Sequence, residues 1–217
     1  MANKQEILAS LKDTGVVAVI RADNPDDLID VSRALRSGGV KFIEITMTVP
    51  GALEVIKKAT DQLKKEDVYI GAGTVLDAET ARAAILAGAS YIVGPGFNAD
   101  MVTLCNRYSI AVMPGAITPT EIINAWQAGA DVVKIFPAGI GGPNYFKDLK
   151  GPLPHIDIMP TGGVNFETGP AFIKAGACAI GVGGELCGKK LIAEKQFKTI
   201  TENAKKFIQL VKEAKGA

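Results

Sequence analysis

The sequence has few of the residues from which metal sites, disulfide frameworks and strongly charged surfaces are built. Its 217 residues include 1 histidine and 3 cysteines, and the cysteines form no CxxC pair. We therefore expect no disulfide framework, no metal site and no Ser-His-Asp triad. Its 24 lysines and arginines are balanced by 23 aspartates and glutamates. No large charged surface is thus available to hold nucleic acid or an anionic membrane.

Long apolar runs are also lacking, although 47% of the residues are hydrophobic. A membrane-spanning helix needs about 20 consecutive apolar residues, and the runs here are much shorter. The first residues, MANKQE, contain no apolar signal core, so we expect a cytoplasmic protein that does not enter the membrane. The apolar residues are instead expected in buried strands and in the helices that cover them.

Short apolar runs recur along the whole chain and alternate with amphipathic stretches. The predicted strands are 16–20, 40–45, 68–70, 91–93, 110–113, 132–135, 156–159 and 179–182. Their starts lie 19 to 28 residues apart, which leaves room for one strand, one short helix and two tight connections. Several of them are apolar on both faces, as in a parallel sheet covered by helices.

This pattern predicts an α/β protein with a (β/α)8 TIM-barrel fold. We expect a single domain over residues 1–217, with an extra N-terminal helix at 4–13 and a closing helical stretch at 191–215. A doubly wound open sheet is the alternative. In a barrel the C-terminal ends of the strands carry the active site, so the polar residues near those ends are the candidates for chemistry.

Lys134 lies in the apolar segment VVKIFP. Strand alternation places Val132, Lys134 and Phe136 on one face. Facing the barrel interior, the lysine would meet other polar residues, and burial would make its amine a nucleophile toward carbonyl groups. A structural ion pair with a carboxylate is the alternative interpretation.

Glu44 shares a face with Phe42 by the same alternation. A carboxylate inside the barrel can move protons or pair with Lys134, and both interpretations stay open. Other polar residues near predicted strand ends are Arg21, Thr46, Thr48, Thr74, Thr161 and Glu185.

Glycine pairs follow the last two predicted strands, at Gly162-Gly163 and at Gly183-Gly184. The loops after strands seven and eight form the common phosphate site of this fold, because their backbone N–H groups are free. The two pairs therefore predict a phosphate site, with simple tight turns as the alternative. His155 precedes the seventh predicted strand, at the opposite end of the barrel.

Six motifs together resemble the bacterial family of 2-keto-3-deoxy-6-phosphogluconate (KDPG) and 4-hydroxy-2-oxoglutarate (KHG) aldolases. They are EIT at 44–46, GAGTV at 71–75, VGPG at 93–96, MPG at 113–115, KIFPA at 134–138 and PTGGV at 160–164. The resemblance covers nearly the whole chain. It implies a class I aldolase that needs no metal or other cofactor and assembles as a homotrimer of (β/α)8 barrels. Its partners would be small keto acids and aldehydes.

The resemblance also implies roles for individual residues. Lys134 would form the Schiff base, and Glu44 would handle protons. The substrate carboxylate would be held by Thr74 and by the loop of Thr161. The pocket would be shaped by Pro95 and Phe136.

Two positions depart from the family pattern. Thr48 stands where some members carry an arginine that grips the carboxylate, and Arg21 is the candidate to supply that charge instead. Glu185 stands where some members carry a serine that binds phosphate. Because a carboxylate repels a phosphate, this change would weaken phosphate binding if Glu185 faces the pocket.

The sequence therefore predicts an aldolase that cleaves KDPG to pyruvate and glyceraldehyde 3-phosphate through a lysine Schiff base. One alternative is an aldolase that acts mainly on KHG or on a nonphosphorylated 2-keto-3-deoxy sugar acid. Alternatives of another class are a phosphosugar isomerase or epimerase with Glu44 as its base, and a non-catalytic barrel that binds sugar phosphates.

Overall fold

The computed structural model describes residues 3–216, in which helices alternate with parallel strands. The strands are β1 (Val16–Ile20), β2 (Phe42–Thr46), β3 (Tyr69–Gly73), β4 (Tyr91–Val93), β5 (Ala111–Met113), β6 (Gly115–Ala116), β7 (Val133–Ile135), β8 (Ile158–Pro160) and β9 (Ile180–Val182). The first helices are α1 (Lys4–Thr14), α2 (Leu28–Ser37), α3 (Ala52–Leu63), α4 (Ala78–Leu86) and α5 (Ala99–Arg107). They are followed by α6 (Pro119–Gln127), α7 (Gly142–Lys150), α8 (Thr168–Lys174), α9 (Gly184–Cys187), α10 (Lys189–Ala193) and α11 (Phe197–Lys215).

The strands form two parallel sheets. One sheet has the order β5-β4-β3-β2-β1-β9, and the other has the order β6-β7-β8. The α/β class with parallel strands is confirmed, but the strand pairing is not one continuous ladder of eight strands. The predicted fifth strand, 110–113, corresponds to β5, and a short strand that was not predicted, β6, follows after Pro114 and pairs in the other sheet. Proline separates the two strands because it has no N–H to donate to a ladder. On the other side, a single pair, Thr161 with Gly181, joins the two sheets.

Side chains on the two faces of the strands enter different cores. Ile43 and Ile45 belong to the large core between the strands and the surrounding helices. Phe42 belongs to a smaller inner core, together with Val17 and Met159 from other strands. The strands are therefore buried on both faces, which explains why their sequences are apolar throughout.

Helix α1 covers the N-terminal ends of the strands. It begins with a capping box, in which the Asn3 side chain accepts from the Glu6 N–H at 2.9 Å and the Glu6 carboxylate accepts from the Asn3 N–H. Its residues Ile7 and Leu11 belong to the inner core. Because α1 lies at this end, the C-terminal ends of the strands are left as the accessible face.

Two ion pairs hold α1 to the segments that lead into β7 and β8. The Lys4 ammonium lies 2.9 Å from the Asp131 carboxylate, and the Lys12 ammonium lies 2.6 Å from the Asp157 carboxylate. Within the described residues, no helix is both long and apolar enough to cross a membrane.

Helix α11 completes the outer layer by packing against both α2 and α8. The Thr201 hydroxyl, on α11, donates to the Ala34 carbonyl of α2 at 2.9 Å. The predicted closing stretch thus consists of two helices, α10 and α11, with Gln196 as the N-cap of the second.

Candidate functional site

A pocket of about 290 Å³ opens at the C-terminal ends of β7, β8, β9 and β1. Its wall contains seven of the residues that the sequence indicates as site residues: Arg21, Phe136, Thr161, Gly162, Gly163, Gly183 and Gly184. Residues from four separate strand ends thus meet at one place. The location agrees with the expectation that the chemistry lies at this end of the strands.

Lys134 lies on β7 and is not part of the pocket wall. Its side chain is only 2% exposed, and its ammonium nitrogen lies 5.2 Å from the centre of the Phe136 ring in the pocket wall. Val132 enters the inner core, while Val133 and Ile135 enter the outer one. The predicted alternation is therefore confirmed, and Lys134 lies on the inner face of its strand.

Glu44 lies on the inner face of β2 and is 1% exposed. Neither of its carboxylate oxygens makes a hydrogen bond within residues 3–216. Burial raises the pKa of the Glu44 carboxyl above its ordinary 4.5, and the positive charges of Lys134 and Arg21 oppose this rise. Glu44 thus makes no hydrogen-bonded pair with Lys134 in the described residues, although the charge of Lys134 acts on it.

Thr161 and the glycines after it shape one side of the pocket. The Thr161 side chain is buried, and its hydroxyl has no hydrogen-bond partner among the described residues. Gly162 and Gly163 have φ angles of 81° and 78°, a backbone conformation that residues other than glycine rarely adopt. Consecutive glycines in this conformation let the backbone approach a ligand closely.

Three other predicted site residues do not line this pocket. Thr48, Thr74 and Pro95 follow β2, β3 and β4, whereas the pocket opens at the ends of β7, β8, β9 and β1. The hydroxyl of Thr48 lies 2.7 Å from that of Thr46. Thr74 has a φ of 58°, a left-handed conformation that is strained for a β-branched residue and is typical of functional sites.

Lys189 is a pocket residue that our sequence analysis missed. It lies at the start of α10, lines the pocket, and places its ammonium 2.5 Å from the carboxylate of Asp23. The pair of lysines at 189–190 is the only signal in the sequence, and such pairs are usually solvated. Glu185, by contrast, is exposed and does not line the pocket, so the expected repulsion of a phosphate does not arise in this arrangement.

The arrangement can bind an anionic carbonyl compound. Arg21 and Lys189 supply positive charge at the pocket wall, and the glycine loops supply backbone near it. Lys134 and Glu44 supply one buried amine and one buried carboxyl group outside the pocket wall, and the amine lies 5.2 Å from the Phe136 ring of that wall. An amine and a proton carrier near an anion-binding pocket are the groups that Schiff-base chemistry requires.

Comparisons with known proteins agree with this chemistry. The family model described as KDPG and KHG aldolase matches residues 7–203. The chain is 32% identical over 209 residues to the 2-dehydro-3-deoxy-phosphogluconate aldolase of Haemophilus influenzae, covering 96% of this chain and 98% of that relative. It is also 32% identical over 200 residues to the 2-dehydro-3-deoxy-6-phosphogalactonate aldolase of Escherichia coli, covering 92% and 95%.

A solved structure described as native KDPGal superimposes with a TM-score of 0.86 at 30% identity. The match covers 93% of this chain and 96% of that one. The similarity therefore extends over nearly the whole chain. This chain belongs to the family of KDPG and KHG aldolases.

Proposed function

We propose that this protein is a class I aldolase that cleaves KDPG to pyruvate and glyceraldehyde 3-phosphate through a Schiff base on Lys134. The observation that carries the proposal is the position of Lys134, which is 2% exposed on the inner face of β7. Its ammonium nitrogen lies 5.2 Å from the ring of Phe136, in the wall of a pocket with two cationic residues. Membership of the aldolase family supports the same chemistry.

In this mechanism the Lys134 amine adds to the C2 ketone and forms a carbinolamine. Glu44, in its protonated form, gives a proton to the departing hydroxyl group, so that water leaves and an iminium remains. Burial raises the pKa of the Glu44 carboxyl, which favours the protonated form that this step needs.

The Glu44 carboxylate then takes the proton of the C4 hydroxyl. The C3–C4 bond breaks, its electron pair moves into the iminium, and glyceraldehyde 3-phosphate leaves with a new aldehyde group. The protonated Glu44 returns its proton to C3 of the enamine. Water, activated by the carboxylate, finally hydrolyses the iminium and releases pyruvate, which restores the Lys134 amine.

The substrate is proposed to be held at both of its charged ends. Thr161, Arg21 and Thr74 bind the carboxylate end. Pro95 and Phe136 shape the pocket. The phosphate end is held by the backbone at 162–163 and 183–184 and by the Lys189 ammonium. Thr48 stays a predicted substrate contact, since its side chain is exposed at the same end of the strands.

Trapping with borohydride tests the Schiff base directly. Incubation with pyruvate and borohydride should add a reduced pyruvate group to Lys134, located by peptide mass mapping. The Lys134→Ala variant should lose both the adduct and essentially all turnover, whereas Lys174→Ala, which removes an exposed lysine of α8, should keep both. An adduct on another lysine, or undiminished turnover in Lys134→Ala, would contradict the proposal. A phosphosugar isomerase or epimerase would form no adduct with pyruvate.

We further propose that the two sheets are parts of one closed (β/α)8 barrel in a single domain over residues 1–217. The chain runs directly from β5 through Pro114 into β6, so the sheets adjoin at that edge. At the other edge, Thr161 pairs with Gly181. Deuterium exchange of the whole chain should then give one cooperative unfolding unit.

The homotrimer implied by the family resemblance remains part of the proposal. Large apolar side chains that another copy could cover are available, since Leu76, Leu86 and Ile140 are well exposed in the single chain. Sedimentation equilibrium should give three times the 22.7 kDa of one chain. A mass of one or two chains would exclude the trimer.

A further inference from the structure

Tyr91 is a buried tyrosine whose hydroxyl group has no use in the mechanism above. Its side chain is 0% exposed on the inner face of β4. The hydroxyl makes no hydrogen bond to any of residues 3–216. Buried hydroxyl groups are normally paired, because an unpaired one loses its hydration without compensation. A phenol in this position therefore needs an explanation that an apolar ring would not.

The strand register directs this hydroxyl toward Glu44. Glu44 pairs with Gly71 across β2 and β3, and Gly71 pairs with Tyr91 across β3 and β4. Since Gly71 has no side chain, the Tyr91 ring lies over it. A methyl group on Gly71 would overlap Cε1, Cε2 and Cζ of Tyr91, which are the atoms at the hydroxyl end of the ring. The ring therefore extends from β4 across β3 in the direction of β2.

Glu44 extends over the same strand from the other side. A methyl group on Gly73 would overlap the Glu44 carboxylate, so the carboxylate lies over Gly73. Gly71 and Gly73 are two residues apart on one face of β3, a spacing of about 7 Å. Two buried polar groups without partners thus converge above one pair of glycines.

The other surroundings of these two groups are charged on one side and apolar on the other. Lys134 from β7 and Arg21 after β1 act on Glu44 as positive charges. The Phe42 ring packs beside Tyr91 with the ring centres 5.6 Å apart, and the Tyr69 ring packs against Phe42. Burial and the negative charge of Glu44 raise the pKa of Tyr91 well above its ordinary 10.0. The phenol therefore stays protonated and can act as a donor.

We propose that Tyr91 is a positioning residue for Glu44: its hydroxyl donates a hydrogen bond to one bound water, which in turn donates to the Glu44 carboxylate. This bond stabilises the ionised form of Glu44 and fixes its orientation toward the pocket. The inference deepens the proposed function, because it concerns the same proton carrier. Tyr91 lies outside the six motifs that carry the family resemblance.

The first test detects the pair without any measurement of activity. The chain has 4 tyrosines, so labelling with 13C at Cζ gives four signals, and Tyr91→Phe identifies the one from Tyr91. In the wild type this signal should shift with pH, with an inflection above the ordinary Glu44 pKa of 4.5. The inflection should be absent in Glu44→Gln. A flat wild-type signal, or the same inflection in Glu44→Gln, would overturn the inference.

The second test measures the effect on catalysis. Tyr91→Phe removes one buried oxygen and keeps the ring, so the fold should be retained, as circular dichroism can check. The limb of the kcat–pH profile that reports ionisation of Glu44 should move upward by about one pH unit, as expected for the loss of one hydrogen bond to a carboxylate. The KM for KDPG should change by less than about twofold, because Tyr91 does not line the pocket.

Tyr69→Phe is the matched control, since it makes the same chemical change in the neighbouring ring of the same cluster. It should leave both the kcat–pH profile and the KM unchanged. An unmoved limb in Tyr91→Phe, or equal shifts in the two variants, would overturn the positioning role. If the wild type instead formed no pyruvate adduct on Lys134, the proposed function would fail, while the titration of the Tyr91 signal would still decide whether the pair exists.

Discussion

The carboxyl group of Glu44 is buried in the folded protein, away from bulk water. Burial raises its pKa above the ordinary 4.5, so the folded protein holds a proton that the unfolded chain has already released. The unfolding free energy therefore falls as the pH rises from about 4.5 through the folded-state pKa. Below 4.5 both states are protonated, and this loss is absent.

Glu44→Gln should remove this dependence. The stability of the variant relative to wild type should be smallest near pH 4 and should grow as the pH rises, by about 1.4 kcal/mol for each unit by which the pKa is raised. At the same time kcat should fall by about 10²-fold or more, since the amide cannot carry a proton. Urea unfolding at a series of pH values measures the first effect. Glu202→Gln, an exposed change on α11, is the control and should follow wild type. Parallel pH profiles for Glu44→Gln and wild type would contradict the raised pKa.

Lys189 is expected to recognise the phosphate end of the substrate. Its side chain is 57% exposed, so its attraction for a phosphate is weakened by solvent and amounts to about 1 kcal/mol. Lys189→Ala should therefore raise the KM for KDPG by about 5-fold. The KM for KHG, which has no phosphate, should change little.

Lys190→Ala is the matched control for this prediction. Lys190 is 85% exposed, lies 3.9 Å from Glu194 and does not line the pocket, so both KM values should stay at their wild-type levels. Steady-state kinetics with the two substrates measures the outcome. Equal increases in KM for KDPG and KHG in Lys189→Ala would show that this lysine does not recognise the phosphate.

At the scale of a single element, β3 matters through the side chains that it lacks. Gly71 and Gly73 lie on its inner face, and their missing side chains make room for Tyr91 from one neighbouring strand and for Glu44 from the other. The glycines of the GAG motif are therefore explained by the packing of other residues as well as by the strand itself. Glycine in a strand interior often marks a place where a neighbouring group approaches the backbone closely.

Gly73→Ala should displace the Glu44 carboxylate, because the new methyl group would overlap it. We expect kcat to fall by about 10²-fold, similar to the loss of a general acid–base group. The double variant Gly73→Ala with Glu44→Gln should be no slower than Glu44→Gln alone, since both changes remove the same function. Measurement of kcat in the three variants checks this. Multiplied losses in the double variant would show that Gly73 acts by another route.

At the scale of the whole molecule, the two ends of the strands have separate tasks. Helix α1 closes the N-terminal end with Ile7 and Leu11 in the inner core. The pocket opens at the C-terminal end. Stability and chemistry are thus separated along the axis of the strands, as is general in this architecture.

Leu11→Ala should therefore weaken the fold and leave the chemistry intact. Leu11 is 0% exposed, and a buried leucine reduced to alanine lowers the unfolding free energy by about 2–5 kcal/mol. The KM and kcat for KDPG should stay close to wild type at temperatures where the variant is folded. Leu8→Ala, a change in a partly buried residue of the same helix, should cause a smaller loss of stability. Denaturant unfolding and steady-state kinetics measure both, and a changed KM in folded Leu11→Ala would contradict the separation.

Local patterns in the sequence determined much of the fold and of the site. The strands at 16–20 and 91–93 were predicted with their observed bounds, because short apolar runs between turn signals depend on neighbouring residues only. The inner positions of Lys134 and Glu44 follow from the two-residue alternation of strands. The family motifs then connected these positions with aldolase chemistry.

Only the tertiary structure decided which distant residues meet. The break of the strand ladder at Pro114, the place of Lys189 in the pocket wall and the convergence of Tyr91 on Glu44 depend on how separate strands and loops lie beside one another. Tyr91 and Glu44 belong to strands that are not even paired, and they approach because β3 between them carries glycines. A pattern read along the chain reports the local period, whereas such contacts are set by register and packing between elements that are far apart in the sequence.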